Sequence, residues 1–313
     1  MIICVTPNAA IDLTIQLSEL HVNAVQRAQE SIAVAGGKGV NVARVVQLLG
    51  GTAMNCAFLG GAAGRYFVEL ATHENLSGRW TWVDGETRIC VMLAQPQHGD
   101  ATVVNGQGMV VDAAAWMRMR DDVLAAAQDP TASSVCFCGS LPPGSPVDAF
   151  ADVVRASIAS GRRTWVDTSG AALRAVLGVA GASVKVNRAE FSDALGVPLQ
   201  HLADIGRVAR RLIDTNGLSV VAVTLGSEGA VLATVSGAWA AAAPQVPLVS
   251  SVGSGDAMLA GVAYGFERSL SPAEALRCGV AAGSANVMSL GGGRFDVADF
   301  QRILEETHVI ELA

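Results

Sequence analysis

Val135-Cys136-Phe137-Cys138-Gly139-Ser140-Leu141-Pro142-Pro143-Gly144 reads as a buried strand that runs out into a turn. Four apolar residues in a row suit a strand covered on both faces, and the glycine and prolines stop it. A helix is expected from Pro146. The same beat returns downstream in Thr164-Trp165-Val166-Asp167, in Ser183-Val184-Lys185-Val186-Asn187 and in Ser219 to Thr224, which ends in Leu225-Gly226-Ser227-Glu228-Gly229. From about Val110 onward the chain therefore alternates strand and helix. That pattern predicts an α/β fold, a mainly parallel sheet with helices on both faces and ligands at the carboxyl ends of its strands. The rule sets Asp12, Ser140, Lys185, Asn187 and Gly226 on one rim.

Upstream the rhythm differs. Met1-Ile2-Ile3-Cys4-Val5 goes straight into a strand-like run, with neither a basic region nor a cleavage site, so a cytoplasmic protein without a secretory leader is expected. Leu13 to Leu17 alternates apolar and polar residues. Trp80-Thr81-Trp82-Val83, Arg88 to Leu93 and Ala101 to Val104 follow one another as strands, with turns at Asp84-Gly85 and His98-Gly99-Asp100 and no helix between them. These segments, about 12–35 and 80–107, predict a small antiparallel lid on a single domain spanning 1–313. Arg88 then lies on the lid, a solvated charge unless the lid closes over an anion.

The 313 residues suffice for one large α/β domain with a sizeable core. Hydrophobic residues make up 51% of the chain and mean hydropathy is +0.40, yet no run reaches the roughly 18 apolar residues of a membrane span. A net charge of −7 without a basic cluster excludes a nucleic-acid surface. Cys4, Cys56, Cys90, Cys136, Cys138 and Cys278 lie mostly in apolar runs without metal-ligand spacing, and read as buried thiols of a reducing compartment.

Among 21 basic residues, only Lys38 and Lys185 are lysines. Arginine supplies the ordinary surface charge, so each lysine calls for a reason, and a compact ammonium can act as a point charge on a phosphate in a tight space. Lys38 sits inside Gly36-Gly37-Lys38-Gly39-Val40-Asn41, a Gly-rich loop that opens a helix marked by Val42, Val45, Val46 and Leu49. A second such loop, Ser251-Val252-Gly253-Ser254-Gly255-Asp256, precedes an apolar stripe at Leu259, Val262, Ala263 and Phe266. Helix N-termini offer unpaired N–H groups and partial positive charge to an anion. Read alone, Asp256 is equally a helix cap, and neither loop fits the Walker A or dinucleotide-binding pattern.

Taken together, six motifs in order resemble the PfkB-type branch of the ribokinase-like sugar kinases: Asn8 to Asp12, Gly36 to Asn41, Gly139-Ser140-Leu141-Pro142, Lys185 to Glu190, Val223 to Gly226, and Val252 to Asp256. The lysine-bearing loop and Gly85-Glu86-Thr87-Arg88 resemble most the members acting on phosphorylated ketohexoses, tagatose-6-phosphate kinase and 1-phosphofructokinase. The resemblance implies Asp256 as general base, with the N–H groups of Gly253, Ser254 and Gly255 holding the phosphoryl group in flight. It implies Asp12, Gly37, Gly39 and Asn41 as sugar ligands, Lys38 and Arg88 on the phosphate that the substrate already carries, and Ser140 and Arg27 as further candidates. Lys185, Asn187, Thr224, Gly226 and Gly229 would bind ATP, and Asn187 with Glu190 would organise Mg²⁺ through water. A monovalent cation such as K⁺, near the Ser250 and Val252 carbonyls, is implied in the same way, and a homodimer through the lid is expected.

Three positions depart from the family pattern. Ala9 and Val186 stand where prolines are usual, and Ala257 stands where a Ser or Thr usually follows the base. The expected activity is ATP-dependent phosphorylation of tagatose-6-phosphate or fructose-1-phosphate. The alternatives are 6-phosphofructokinase or another sugar-kinase activity within the family and, from a different class, a non-catalytic sensor of sugar phosphate or nucleotide.

Overall fold

A computed structural model describes residues 1–95 and 100–312. His98 and Gly99 of the expected turn lie outside the described residues. The centre of the fold is β1 (Ile2–Thr6), with parallel β4 (Ala53–Leu59) on one side and parallel β8 (Ser134–Cys138) on the other. Beyond β8 come β9 (Arg163–Asp167), β10 (Ala182–Asn187) and β11 (Val220–Thr224), all parallel, and β12 (Ala230–Thr234), β13 (Gly237–Ala241) and β14 (Val309–Leu312) complete that flank antiparallel. With β5 (Gly78–Trp82) outside β4, the described sheet has ten strands.

Period-two alternation sorts these strands into two cores. Ile3, Val5, Val135, Phe137, Val184 and Val186 face one side with Trp116 and Phe150, while Ile2, Cys4, Cys136, Cys138 and Trp165 face the other. The first side is covered by α3 (Ala113–Ala127), α4 (Val147–Ala159), α5 (Gly170–Val176), α6 (Arg188–Leu195) and α7 (Leu202–Asn216). Edge-on aromatic contacts fix it, with Trp116 at 5.1 Å from Phe58 and 5.5 Å from Phe150.

The second side carries α1 (Lys38–Leu48), α8 (Ser254–Glu267), α9 (Pro272–Asn286) and α10 (Val297–Glu306). Helices α8 and α9 approach so closely that a Cβ on Gly261 would lie 2.6 Å from the Cys278 carbonyl oxygen, so only glycine fits there. This tight seam holds α8, and the start of α8 carries Asp256. Helix α2 (Gly61–His73) links β4 to β5.

The small sheet is β3-β2-β6-β7, formed by β2 (Ala10–Gln16), β3 (Glu30–Gly36), β6 (Arg88–Gln95) and β7 (Asp100–Asn105). Both flanks pair antiparallel, and the central β2–β6 pairing is parallel. Two expectations are corrected. Trp80–Val83 does not join the lid: Trp80 to Trp82 lie in β5, parallel to β4 at the edge of the main sheet, where one half-exposed face produces the same alternation as a lid strand. Asp12 is not on the rim of the main sheet either, because its strand β2 belongs to the lid.

Candidate active site

Between the lid and the carboxyl ends of the main strands lies a cleft of 990 Å³. Chain topology alone brings its walls together: the lid contributes Asp12 and Arg88, strand ends contribute Ser140, Lys185, Asn187 and Thr224, and the two Gly-rich loops contribute Gly37, Lys38, Asn41 and Gly253 to Asp256. Gly226 and Gly229, on the turn after β11, also line it. Gly39 and Glu190 do not. A Cβ on Gly39 would run into Thr6 and the Val5 carbonyl, so this glycine lets α1 pack on β1. Arg27 is exposed outside the cleft lining.

Asp167, which the sequence marked only as the end of a strand, holds the site's charges together. Its fully buried carboxylate accepts from Lys185 Nζ at 2.7 Å and from Lys38 Nζ at 3.1 Å. Burial alone would raise its pKa, but the two ammonium groups outweigh that and keep it below the usual carboxylate range. Burial likewise opposes the charge on Lys38, and Asp167 and Asp256 overcome it, so Lys38 stays protonated well above its usual value. Lys38 is thus fixed beside Lys185 and Asp256, at the reacting end of the cleft. Arg88, its expected companion on the substrate phosphate, instead donates from Nη2 to the Asn8 carbonyl at 2.8 Å and has a buried Nε without a protein acceptor among the described residues.

Asp256 occupies the first turn of α8, after Gly253 in a left-handed conformation (φ 80°), and the Ser254 N–H of that loop donates to the Ser251 carbonyl at 3.3 Å. Its side chain does not act as a cap: among the described residues the carboxylate takes its hydrogen bond from the Asn41 side chain and none from a backbone N–H. The residue is only 5% exposed. Burial pushes its carboxyl up to about 6, Asp167 adds to the rise, and Lys38, Lys185 and a hydrogen bond from Asn41 Nδ2 at 2.9 Å pull it back. A carboxylate titrating near neutrality, at a helix N-terminus and beside two cations, can take a proton from a hydroxyl while the surrounding N–H groups and ammoniums stabilise a phosphoryl group. Asn41 is already engaged, since its amide donates to Asp256 and accepts from Arg44, so it serves the base more directly than a sugar.

The remaining candidates are placed as follows. Asp12 is raised by burial, against a hydrogen bond from the Gly37 N–H and the charges of Arg44 and Arg88, and its carboxyl lies over Gly36, where a Cβ would overlap it. Ser140 Oγ accepts from Asn8 Nδ2 at 3.3 Å, making Asn8 a second contributor that the sequence did not single out. Asn187 and Glu190 form a reciprocal capping box at the start of α6, with bonds of 2.8 and 3.0 Å. One Glu190 carboxylate oxygen stays outside that box, which suits a hydrated Mg²⁺ contacted through water. The Val252 carbonyl accepts from Asn286 Nδ2 at 2.8 Å, leaving its second lone pair and the Ser250 carbonyl for a weakly held monovalent cation.

A cleft that gathers two lysines, two Gly-rich loops and a buried carboxylate at the strand ends of this sheet fits a small-molecule kinase. The family model for pfkB family carbohydrate kinases matches residues 3–297, and the chain belongs to that family. It is 31% identical over 309 residues to the 1-phosphofructokinase of Haemophilus influenzae, covering 98% of this chain and 97% of the relative. It is 29% identical over 314 residues to the tagatose-6-phosphate kinase of Staphylococcus epidermidis, covering both chains completely. The crystal structure of phosphofructokinase-2 from Escherichia coli in complex with substrates and products superposes with a TM-score of 0.89 at 28% identity, over 97% of this chain and 98% of that one.

The raised carboxyl makes a stability prediction. With an ordinary value of 3.8 and a folded value of about 6, Asp256 is protonated in both states well below pH 3.8 and imposes no penalty there, and only a small one at pH 4. As pH rises from 3.8 to about 6, the unfolded chain ionises this acid before the folded protein does, and stability is lost until the folded carboxyl ionises too. Asp256→Asn is therefore expected to be more stable than wild type at pH 8, by up to about 3 kcal/mol, and only slightly so at pH 4. Urea denaturation at the two pH values measures this, and an equal difference at both would contradict the perturbed carboxyl.

Proposed function

We propose that this chain is an ATP-dependent kinase that transfers the γ-phosphoryl group to a hydroxyl of a ketohexose monophosphate, tagatose-6-phosphate or fructose-1-phosphate, to give a bisphosphate. The observation that carries the reading is Asp256, buried at the start of α8 within a cluster of two lysines and one further carboxylate. Names borne by relatives along nearly the whole chain support the substrate class.

Asn41 holds Asp256 Oδ2, which leaves Oδ1 to accept the proton of the substrate hydroxyl. The freed oxygen attacks the γ-phosphorus and the bond to the β-phosphate oxygen breaks. Negative charge spread over the transferred group meets the Gly253 and Gly255 N–H groups and Lys38, whereas the Ser254 N–H must leave the Ser251 carbonyl to join them. Lys185, Thr224, Gly226 and Gly229 contact the nucleotide. Arg88, with its unpartnered Nε, takes the phosphate already on the sugar, and Asp12 takes sugar hydroxyls. Asn187 and Glu190 would hold Mg²⁺ through water, and the ion would neutralise phosphate charge there. A monovalent cation near Ser250 is supported by the potassium complex of the Escherichia coli phosphofructokinase-2.

The protein is cytoplasmic on this reading, and no helix among the described residues is long and apolar enough to cross a membrane. The lid strands carry Ile32, Ile89, Val103 and Val104 exposed, which supports pairing of two lids in a homodimer. Light scattering is expected to give twice the mass of the chain, and a monomeric mass would end that proposal.

In a coupled ADP-release assay across tagatose-6-phosphate, fructose-1-phosphate and fructose-6-phosphate, one of the first two is expected to give the highest kcat/KM. Preference for fructose-6-phosphate would favour the alternative reading. Asp256→Asn is expected to lower kcat by about 100-fold or more with sugar-phosphate binding nearly intact, as befits loss of a general base. Normal turnover would remove Asp256 from that role. Arg88→Met is expected to raise KM for the sugar phosphate and leave KM for ATP near wild type, and equal effects on both would refute the assignment.

A further inference from the structure

Arg44 lies in the middle of the valine-rich stripe of α1, 7% exposed, where the helix otherwise buries aliphatic side chains. A guanidinium has five N–H donors and no acceptor, and here all five are used. Nε donates to Glu74 Oε2 at 2.6 Å, and Nη2 donates to Glu74 Oε1 at 3.1 Å and to the Ala35 carbonyl at 2.8 Å. Nη1 donates to Asn41 Oδ1 at 3.0 Å and to the Gly292 carbonyl at 3.2 Å. Glu74 Oε2 also accepts from Arg294 Nη2 at 3.3 Å. An apolar side chain of similar volume would stabilise such a place about as well as a buried ion pair does, so stability is a weak reason for a charge here.

Position is a stronger one. An asparagine amide has nearly the same shape in either orientation, and its partners decide which end points where. Because Arg44 only donates, it takes the oxygen of Asn41, and this turns the Asn41 N–H toward Asp256. The opposite orientation would set an amide oxygen against the carboxylate. Close by, a Cβ on Gly292 would lie 2.5 Å from Asn41 Nδ2, so the Gly-rich segment 291–293 hems in the same amide.

We propose that Arg44 is a positioning residue for phosphoryl transfer: it locks the Asn41 amide with its N–H on the catalytic base, and ties that lock to the inner end of lid strand β3 and to segment 291–293. The inference rests on the reading of Asp256 as the base. The groups that face Asp256 are Lys38 and Asn41 from α1, Lys185 from β10 and Asp167 from β9. The lysines and the Asn41 N–H favour the ionised base, and Asp167 opposes it. Loss of the lock therefore makes the base harder to ionise, and the acid limb of the kcat/KM profile moves to higher pH.

The test is that profile, measured with saturating MgATP and whichever of fructose-1-phosphate and tagatose-6-phosphate is turned over, for wild type, Arg44→Met, Asn41→Leu and the double variant. Arg44→Met is expected to move the acid limb up by roughly half to one pH unit, with the double variant shifted no further than Asn41→Leu alone, since both single changes break one linkage. Arg44→Lys keeps the positive charge and a partner for Glu74 but loses the planar fork, so its limb is also expected to move up, and it serves if Arg44→Met does not fold. A wild-type limb in either folded Arg44 variant, or shifts that add in the double variant, would overturn the proposal. A lowered melting temperature without a limb shift is the outcome of a merely structural role. Asp256→Asn separates the two levels: normal turnover there removes the base reading itself, whereas an inactive Asp256→Asn beside an unmoved Arg44 limb removes only the role of Arg44.

Discussion

Everything in the cleft depends on one buried carboxylate, Asp167, shared by two ammonium groups. Lys185, with a side chain 5% exposed, has its counter-charge in Asp167 at 2.7 Å. The sharing leaves the two lysines with one net positive charge, and Asp256 beside them titrates near 6. With Asp256 ionised the four groups are balanced. On the proposed mechanism, when Asp256 takes a proton from the substrate hydroxyl, the cluster becomes net positive as negative charge builds on the acceptor oxygen and the phosphoryl group. A fixed arrangement that gains charge of the right sign during the reaction stabilises the transition state more than the ground state, which is what accelerates a chemical step.

Geometry of the sheet makes that sharing unavoidable. Ser183 pairs with Trp165 and Val184 with Val166 across β10 and β9, so the next step of the same ladder sets Lys185 beside Asp167. Alternation puts both on the face that carries α1 and α8, where Trp165 is buried. Lys38 reaches the other carboxylate oxygen from the N-terminus of α1, and Asp256 comes down from the start of α8. Four charged groups from four elements meet because two strands are in register and two helices begin at the same rim.

Much of this was legible in the sequence. The strand and helix alternation after Val110 marked the main sheet, and the scarcity of lysine marked two residues that the fold brings onto one carboxylate. What stayed hidden was whatever depends on which elements are neighbours. Asp167 looked like any strand-ending aspartate, because nothing local says that β10 lies beside β9 with that register. Arg44 sat in an apolar stripe, and although Asn41 lies one turn back on the same helix, its other acceptors lie on three separate stretches of chain that no local spacing connects. Trp80–Val83 misled for a related reason, since a strand at the edge of a parallel sheet and a strand of a lid share the same half-exposed pattern.

Ala257, where the family usually has a hydroxyl after the base, fits the surroundings of α8. Its side chain is fully buried, and its own N–H bonds the Gly253 carbonyl one turn back. A serine or threonine there would have to share that same carbonyl, a bond that tends to bend helices, or leave a buried hydroxyl unpaired. Helix α8 tolerates little bending, because its seam with α9 is closed at Gly261 against the Cys278 carbonyl. Asp256 draws its hydrogen bond from Asn41 on α1, so the polar support that a neighbouring hydroxyl could offer comes from the adjacent helix instead.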